Sequence, residues 1–304
     1  GISLCNPHDI CYWIMQQPLP PEAHLSPHTD QFIQRAHAID FKNPPEASEL
    51  PPLPSNFEID PEEPEFIQTC RKRPYYGQEG IFTTNWDQTR WRTYLDAYYR
   101  LTEEVDIQVG RLLKTLQDTG LEDSTLIIFT SDHGEGMAAH HWVVKLMLYE
   151  EPARVPFIVR FPGTIPEGVV DSEHLVSGID VLPTLCDWVQ VDCPPVTGIS
   201  LKSVMENPKE PGQDFVVSEL YPDTENLEMQ GRMIRTQQYK YIAFSEGKNP
   251  EMLFDLQADP GETNNLAHHS AAHGKLRQHR DRLKAWCEQT DDPFATTPAL
   301  NQES

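Results

Sequence analysis

The most regular pattern of apolar and polar positions runs from Thr89 to Thr119. Tyr94, Tyr98, Leu101, Val105, Val109, Leu112 and Leu116 recur at three- and four-residue steps, which predicts a helix with one apolar stripe. Gly120 stands just past its end, where a left-handed residue commonly closes a helix. About 30 residues at 1.5 Å each give roughly 45 Å, enough to back a whole sheet. Leu126-Ile127-Ile128-Phe129 and Val155 to Phe161 are near-continuous apolar runs, the pattern of buried strands. Ile2-Ser3-Leu4-Cys5 reads the same way, with Pro7 stopping the ladder. Asp180 to Val189 predicts a helix with Asp180 as N-cap and Pro183 in the first turn, turning Leu182, Leu185, Trp188 and Val189 inward. Helices alternating with such strands predict an α/β fold, a doubly wound and mostly parallel sheet flanked by helices.

From about Asp214 the rhythm shortens. Phe215–Leu220, Arg232–Arg235, Tyr239–Phe244 and Met252–Leu256 predict short strands too closely spaced for crossover helices, hence a small antiparallel sheet. Gln237-Gln238 is a tight link and Asp259-Pro260-Gly261-Glu262 a turn. A last helix, about Ala271 to Gln289, puts Leu276, Leu283 and Trp286 on one face and Lys275, Arg277, Arg280, Arg282 and Lys284 mostly outward. Residues 1–210 thus form the α/β part and 211–304 a C-terminal α+β subdomain. Within the first, residues 16–65 are proline-rich, which forbids long helices and central strands. This stretch reads as coil wrapped over the surface and anchored by Phe32, Phe41, Leu53 and Phe57.

Composition narrows the classes. With 47 acidic residues against 24 basic ones the net charge is −23, a surface that repels nucleic acid. Arg71-Lys72-Arg73 is the one dense basic triplet, read as a solvated cluster or a substrate-facing one. No apolar run reaches the roughly 18 residues of a membrane span. Six cysteines are too sparse for a disulfide scaffold, leaving Cys186 and Cys193 as a pair or as free thiols. The chain starts at Gly1 in an apolar run, so its true beginning is expected to be missing and its localisation is not readable. Oligomeric state is likewise not readable.

The chemistry gathers where Leu126–Phe129 gives way to Thr130-Ser131-Asp132-His133-Gly134-Glu135-Gly136. Ligands of open α/β sheets bind past the carboxyl ends of strands. Asp132 and His133 can offer an oxygen and a nitrogen to one cation there; alternatively Asp132 simply caps turn N–H groups. Lys145 follows 13 residues after Asp132 as a cation for an anionic substrate, and His8 leaves the first apolar run at a corresponding position.

Ser131-Asp132-His133-Gly134-Glu135, His140, Lys145, Tyr149-Glu150-Glu151 and Arg154 to Gly163 together resemble the sulfatase family of the alkaline-phosphatase superfamily. Gly231 to Thr236, Tyr239-Lys240-Tyr241, Leu253 to Leu256 and Asp259 to Leu266 resemble its C-terminal subdomain. The resemblance implies hydrolysis of sulfate esters of a sulfated small molecule or glycan, with a carbohydrate suited to the long loop. It implies Asp132 and His133 as ligands of a divalent metal, usually calcium, although an imidazole nitrogen suits zinc or manganese as well. It implies that Lys145 and His8 are catalytic and bind the sulfate group, that His140 lines the rim, and that the protein is periplasmic or secreted.

One family element is missing. Neither cysteine nor serine here begins the Cys-x-Pro-x-Arg or Ser-x-Pro-x-Arg pattern whose first residue becomes the formylglycine nucleophile. The chain therefore looks like the carboxyl-terminal part of a sulfatase, expected to be inactive alone. Two other readings stay open: a non-catalytic sulfated-glycan-binding remnant, and a phosphodiesterase or phosphonate hydrolase of the same superfamily.

Overall fold

A computed structural model of the protein describes residues 1–14, 45–72, 83, 85–223 and 226–302. Phe32, Phe41, Arg73 and most of the proline-rich stretch lie outside them. Contacts group the chain into two units, Gly1–Asp118 with Glu135–Lys145, and Thr119–Gly134 with Leu146–Ser304. Residue 210 lies inside the second.

In the first unit, α1 (Ile10–Ile14), α2 (Glu65–Lys72) and α3 (Gln88–Asp118) are the helices among the described residues. The long periodic pattern forms α3 as expected. Asp87 accepts from the Arg90 N–H at its start, and Gly120 beyond its end has φ +67°. Its buried side chains, Trp91, Tyr94, Leu95, Ala97 and Leu101, belong to the amino-terminal half alone. They pack with Ile10, Trp13, Ile14 and Phe57, Phe57 and Trp91 meeting edge to face at 5.5 Å. An aromatic pair of this kind adds about 0.5–1.5 kcal/mol beyond its burial. Phe57 and Leu53 thus anchor the described part of the proline-rich stretch, as expected.

Ile2 to Cys5 is not a strand. Ile2 and Leu4 are exposed, and the chain turns at once, His8 N–H donating to Cys5 C=O and Ile10 N–H to Pro7 C=O. An apolar run this short becomes a strand only if a partner supplies its ladder.

In the second unit β1 (Ile127–Thr130) pairs with β2 (Phe157–Arg160), Ile127 opposite Arg160 and Thr130 opposite Phe157. The two run antiparallel. A mostly parallel sheet was expected here, but among the described residues both sheets are antiparallel. The chain is nonetheless α/β, with α4 (Glu150–Ala153), α5 (Val181–Val189) and α6 (Lys202–Glu206) interspersed.

The inner face of α5 is the reverse of the one expected. Pro183, Thr184 and Cys186 are buried, whereas Leu182, Leu185 and Val189 are exposed. Polar anchors decide this. Buried Asp180 accepts from the N–H groups of Ser177 and Ile199, and the Thr184 hydroxyl donates to Asp180 C=O and accepts from Leu201 N–H. Asp180 therefore does not cap α5 itself. Turning either group outward would leave buried donors unsatisfied, at about 1–3 kcal/mol each. Trp188 is half-buried against Phe161.

The C-terminal sheet follows the sequence pattern closely. β3 (Val216–Leu220), β4 (Gly231–Arg235), β5 (Tyr239–Phe244) and β6 (Glu251–Asp255) form an antiparallel meander. The last helix, α7 (His273–Gln289), packs Leu276 and Leu283 against Ile234, Tyr241 and Leu253. Gly231 on the opposite face approaches Leu148, and Tyr149 meets Phe254 at 6.4 Å. β4 to β6 are accordingly buried on both faces. Arg280, expected outward, is buried and paired with Glu251 at 2.8 Å. Cys186 and Cys193 are not joined in a disulfide.

Candidate active site

Asp132 and His133 follow β1 directly, in the second unit. Asp132 Oδ1 accepts from Ser131 Oγ at 3.2 Å and from the His133 N–H at 3.0 Å. That leaves Oδ2, 3.6 Å from His133 Nε2. His133 Nδ1 lies 2.7 Å from Gly134 C=O, a contact that makes Nδ1 the donor and, in the neutral ring, leaves the lone pair on Nε2. Burial opposes ionisation of Asp132, but His133 and the N–H and hydroxyl donors outweigh it and hold the carboxyl below its usual range. Two ligand atoms about 2.0–2.5 Å from one ion stand 3–4 Å apart. An exposed oxygen and a half-exposed nitrogen at 3.6 Å therefore fit a divalent cation.

Gly134 makes the turn possible. Its N–H donates to Pro152 C=O at 2.9 Å, and a Cβ there would lie 2.0 Å from Glu151 O. Glu150 in the same segment anchors to the C-terminal sheet. Lys240, fully buried, pairs with Glu150 and Glu262 at 2.9 Å each, and the Glu150 N–H donates to Glu262 at 2.6 Å.

His8, His140 and Lys145 belong to the first unit. His8 is exposed, on the turn before α1, with its ring 5.8 Å from Tyr12. His140 and Lys145 lie on a loop whose backbone is strained: Met137, Ala138, His140, His141 and Val144 all have positive φ without being glycine. Each such residue costs roughly 1–3 kcal/mol and persists only where its surroundings over-determine it.

Those surroundings were not foreseen. Arg71 forks onto Glu63 at 2.9 and 3.0 Å and donates to the carbonyls of His140 at 2.7 Å and His141 at 3.2 Å. Asn56 C=O accepts from the His140 N–H at 2.7 Å. Buried Glu135 accepts from Tyr94 OH at 2.5 Å and from the Val144 N–H. The sequence predicts a solvated or substrate-facing cation at Arg71 and gives Glu135 no role of its own.

His140 is 3 % exposed, so it does not stand open on a rim; its backbone bonds and the 3.4 Å approach of Asn56 Nδ2 to its ring hold it inside. Lys145 is half-buried. Its carbonyl accepts from Trp142 Nε1 at 3.0 Å, and among the described residues its ammonium forms no ion pair. An ammonium left unpaired at that depth is suited to an anionic ligand.

Comparison with known proteins assigns the family. A model described as Sulfatase matches residues 44–191, and one described as N-sulphoglucosamine sulphohydrolase, C-terminal, matches residues 138–289. The chain is 32% identical to a Delta 4,5-hexuronate-2-O-sulfatase of Bacteroides thetaiotaomicron over 95% of its own length and 56% of the relative's. The chain belongs to the sulfatase family. It spans little more than half of that relative. Among solved structures it superposes on a 2-O GAG sulfatase with TM-score 0.77 and 29% identity, covering 98% of this chain and 62% of that one. A phosphonate monoester hydrolase of Agrobacterium radiobacter matches with TM-score 0.60 and 27% identity over 68% and 43%. Among the described residues no helix is long and apolar enough to cross a membrane.

Proposed function

We propose that this chain is part of an enzyme that hydrolyses sulfate esters of an acidic glycan. One observation carries the reading: in a sulfatase-family chain, Asp132 Oδ2 and His133 Nε2 are left turned to each other at 3.6 Å, the one oxygen and the one nitrogen their neighbours do not occupy. The hexuronate sulfatase named above supports a uronate-containing substrate. In this reading Asp132 and His133 hold a divalent cation, calcium by family likeness. When bound, that ion supplies Lewis acidity to a sulfate oxygen. Lys145 binds the sulfate group and neutralises charge on the departing oxygen. His8 donates a hydrogen bond to the same group, and His140 holds the loop that presents Lys145. The nucleophile, a formylglycine, lies outside these 304 residues, and the chain alone turns over no ester. The protein works in the periplasm or is secreted.

The test is the full-length protein assayed on a 2-O-sulfated unsaturated uronate disaccharide and on a phenyl phosphonate ester. Sulfate release is expected, with Asp132→Ala removing both the activity and the bound metal measured by mass spectrometry. The phosphonate hydrolase likeness favours a second reading, which activity on the phosphonate alone would establish in place of the first. Unchanged metal content in Asp132→Ala would refute the ligand assignment.

A further inference from the structure

Beside the β4–β5 hairpin the second unit carries an open cavity of about 520 Å³. One wall is a single stripe of α7. Lys275, Gln278, His279 and Arg282 stand at i, i+3, i+4 and i+7, and all four line the cavity. Opposite lie the hairpin from Thr236 to Tyr239 and the backbone at Gly212. A Cβ there would crowd the His174 ring, which packs against this backbone.

The cations of this wall are not neutralised. Lys275 Nζ lies 5.4 Å from the Tyr239 ring centroid and Arg282 Cζ 5.6 Å from that of Phe215. Among the described residues neither forms an ion pair or a hydrogen bond, in a chain with 47 acidic residues against 24 basic. Glu173 and Asp214 also line the cavity without engaging them. A cation seated on a ring keeps its N–H donors for a ligand. Gln237 and Gln238 engage their amide N–H groups with Glu173 C=O and Asp255, which leaves carbonyl oxygens for hydroxyl donors. His279 Nδ1 is bonded to Lys275 C=O at 2.8 Å.

We propose that this cavity is a second saccharide-binding site, which takes an anionic oligosaccharide through Lys275 and Arg282 and its hydroxyl groups through the surrounding amides. The seven-residue step from one cation to the other amounts to about 10 Å along the helix, a separation for two anionic groups on one chain rather than for a single small ion. None of the lining residues belongs to the candidate active site. The inference rests on the proposed action on an acidic glycan and deepens it: the substrate is a polymer, gripped away from the bond that is cut.

The test uses the 304-residue chain and a fluorescently labelled heparin-derived hexasaccharide, followed by anisotropy, with an oligogalacturonate of the same length as the carboxylate arm and dextran as the neutral one. Binding of the heparin fragment is expected to weaken by about tenfold or more in the Lys275→Ala/Arg282→Ala double variant and to stay unchanged in Lys114→Ala, which removes an exposed lysine outside both sites. Binding of the oligogalacturonate as well would widen the ligand to carboxylated glycans within the same proposal. Both replaced side chains reach solvent, so an unchanged melting curve shows that the fold survives. The proposal is overturned if the double variant binds like the wild type, if dextran binds as tightly, or if the wild type binds nothing. Loss in Lys145→Ala alone would assign the affinity to the candidate active site, refuting the cavity while leaving the sulfatase reading intact. Failure of the full-length protein to release sulfate, with cavity binding retained, would do the opposite.

Discussion

Tyr94 donates its phenolic proton to Glu135 across 2.5 Å, and both side chains are buried. The bond fastens a loop of unfavourable backbone angles to the best-formed helix of the first unit. Burial drives the tyrosine well above its ordinary range, and Glu135 adds to the effect, so the phenol remains a donor at every pH the protein meets. Tyr94→Phe removes that donor and leaves the Glu135 carboxyl with backbone N–H donors, those of Val144 and Gly136. Chemical denaturation should show a loss of about 1–3 kcal/mol. A variant as stable as the wild type would mean that the loop is held without this bond.

Arg71 fastens the same loop from α2. Replacing it by methionine keeps much of the stem packing and removes five donors, stranding Glu63, whose side chain is only 5% exposed. Breaking a pair of this kind costs roughly 3–5 kcal/mol. Arg71→Lys keeps the charge but not the fork, and should recover only part of the loss. Amide hydrogen exchange over 137–144 is the direct readout, since faster exchange there than in α3 separates release of the loop from general destabilisation.

Much of this was legible in the chain because it depends on period or spacing alone. The stripe of α3 repeats over enough residues to outvote local exceptions, and the short, closely spaced runs of β4 to β6 mark a meander by their spacing. Asp132 and His133 were legible because neighbours in sequence are neighbours in space. The reversed face of α5 was not: its inward side is chosen by hydrogen bonds from Asp180 and Thr184 to Ile199 and Leu201, contacts that no periodicity encodes. The strained loop was equally hidden. Its left-handed residues are Met, Ala, His and Val rather than glycine, held by Arg71, Asn56 and Tyr94 from distant parts of the sequence. Buried cations were hidden for the same reason; Lys240 reads as a surface lysine until Glu150 and Glu262 are brought to it.

Gly134 couples the backbone to the candidate metal ligands. An added methyl would meet Glu151 O at 2.0 Å, so Gly134→Ala must shift the turn, and the carbonyl that fixes the His133 tautomer shifts with it. Disturbing a partner of a ligating histidine typically weakens metal binding by about 10–100-fold. Calcium and zinc titrations of wild type and variant, with thermal melting to confirm folding, should show that loss. Equal affinities would mean that the Gly134 carbonyl does not orient His133.

The Lys240 cluster makes stability depend on pH in a defined direction. Burial pushes the Glu262 carboxyl from the ordinary 4.5 up to about 7, even with Lys240 at 2.9 Å. Burial acts on Glu150 too, but there Lys240 and Arg235 prevail and hold the carboxyl below its usual range. Between pH 4.5 and 7 the folded protein therefore keeps a proton on Glu262 that the unfolded chain has released. Stability contributed by this group is complete below about 4.5 and is lost as the pH rises through 7, by on the order of 3 kcal/mol. Glu150 works at the acid end, its contribution being lost only as the pH falls below the ordinary carboxylate range. Glu262→Gln mimics the protonated form and leaves Lys240 its 2.9 Å contact with Glu150. The difference in unfolding free energy between variant and wild type should thus swing toward the variant from pH 5 to pH 8. Parallel profiles for the two proteins would show that Glu262 does not take up the proton.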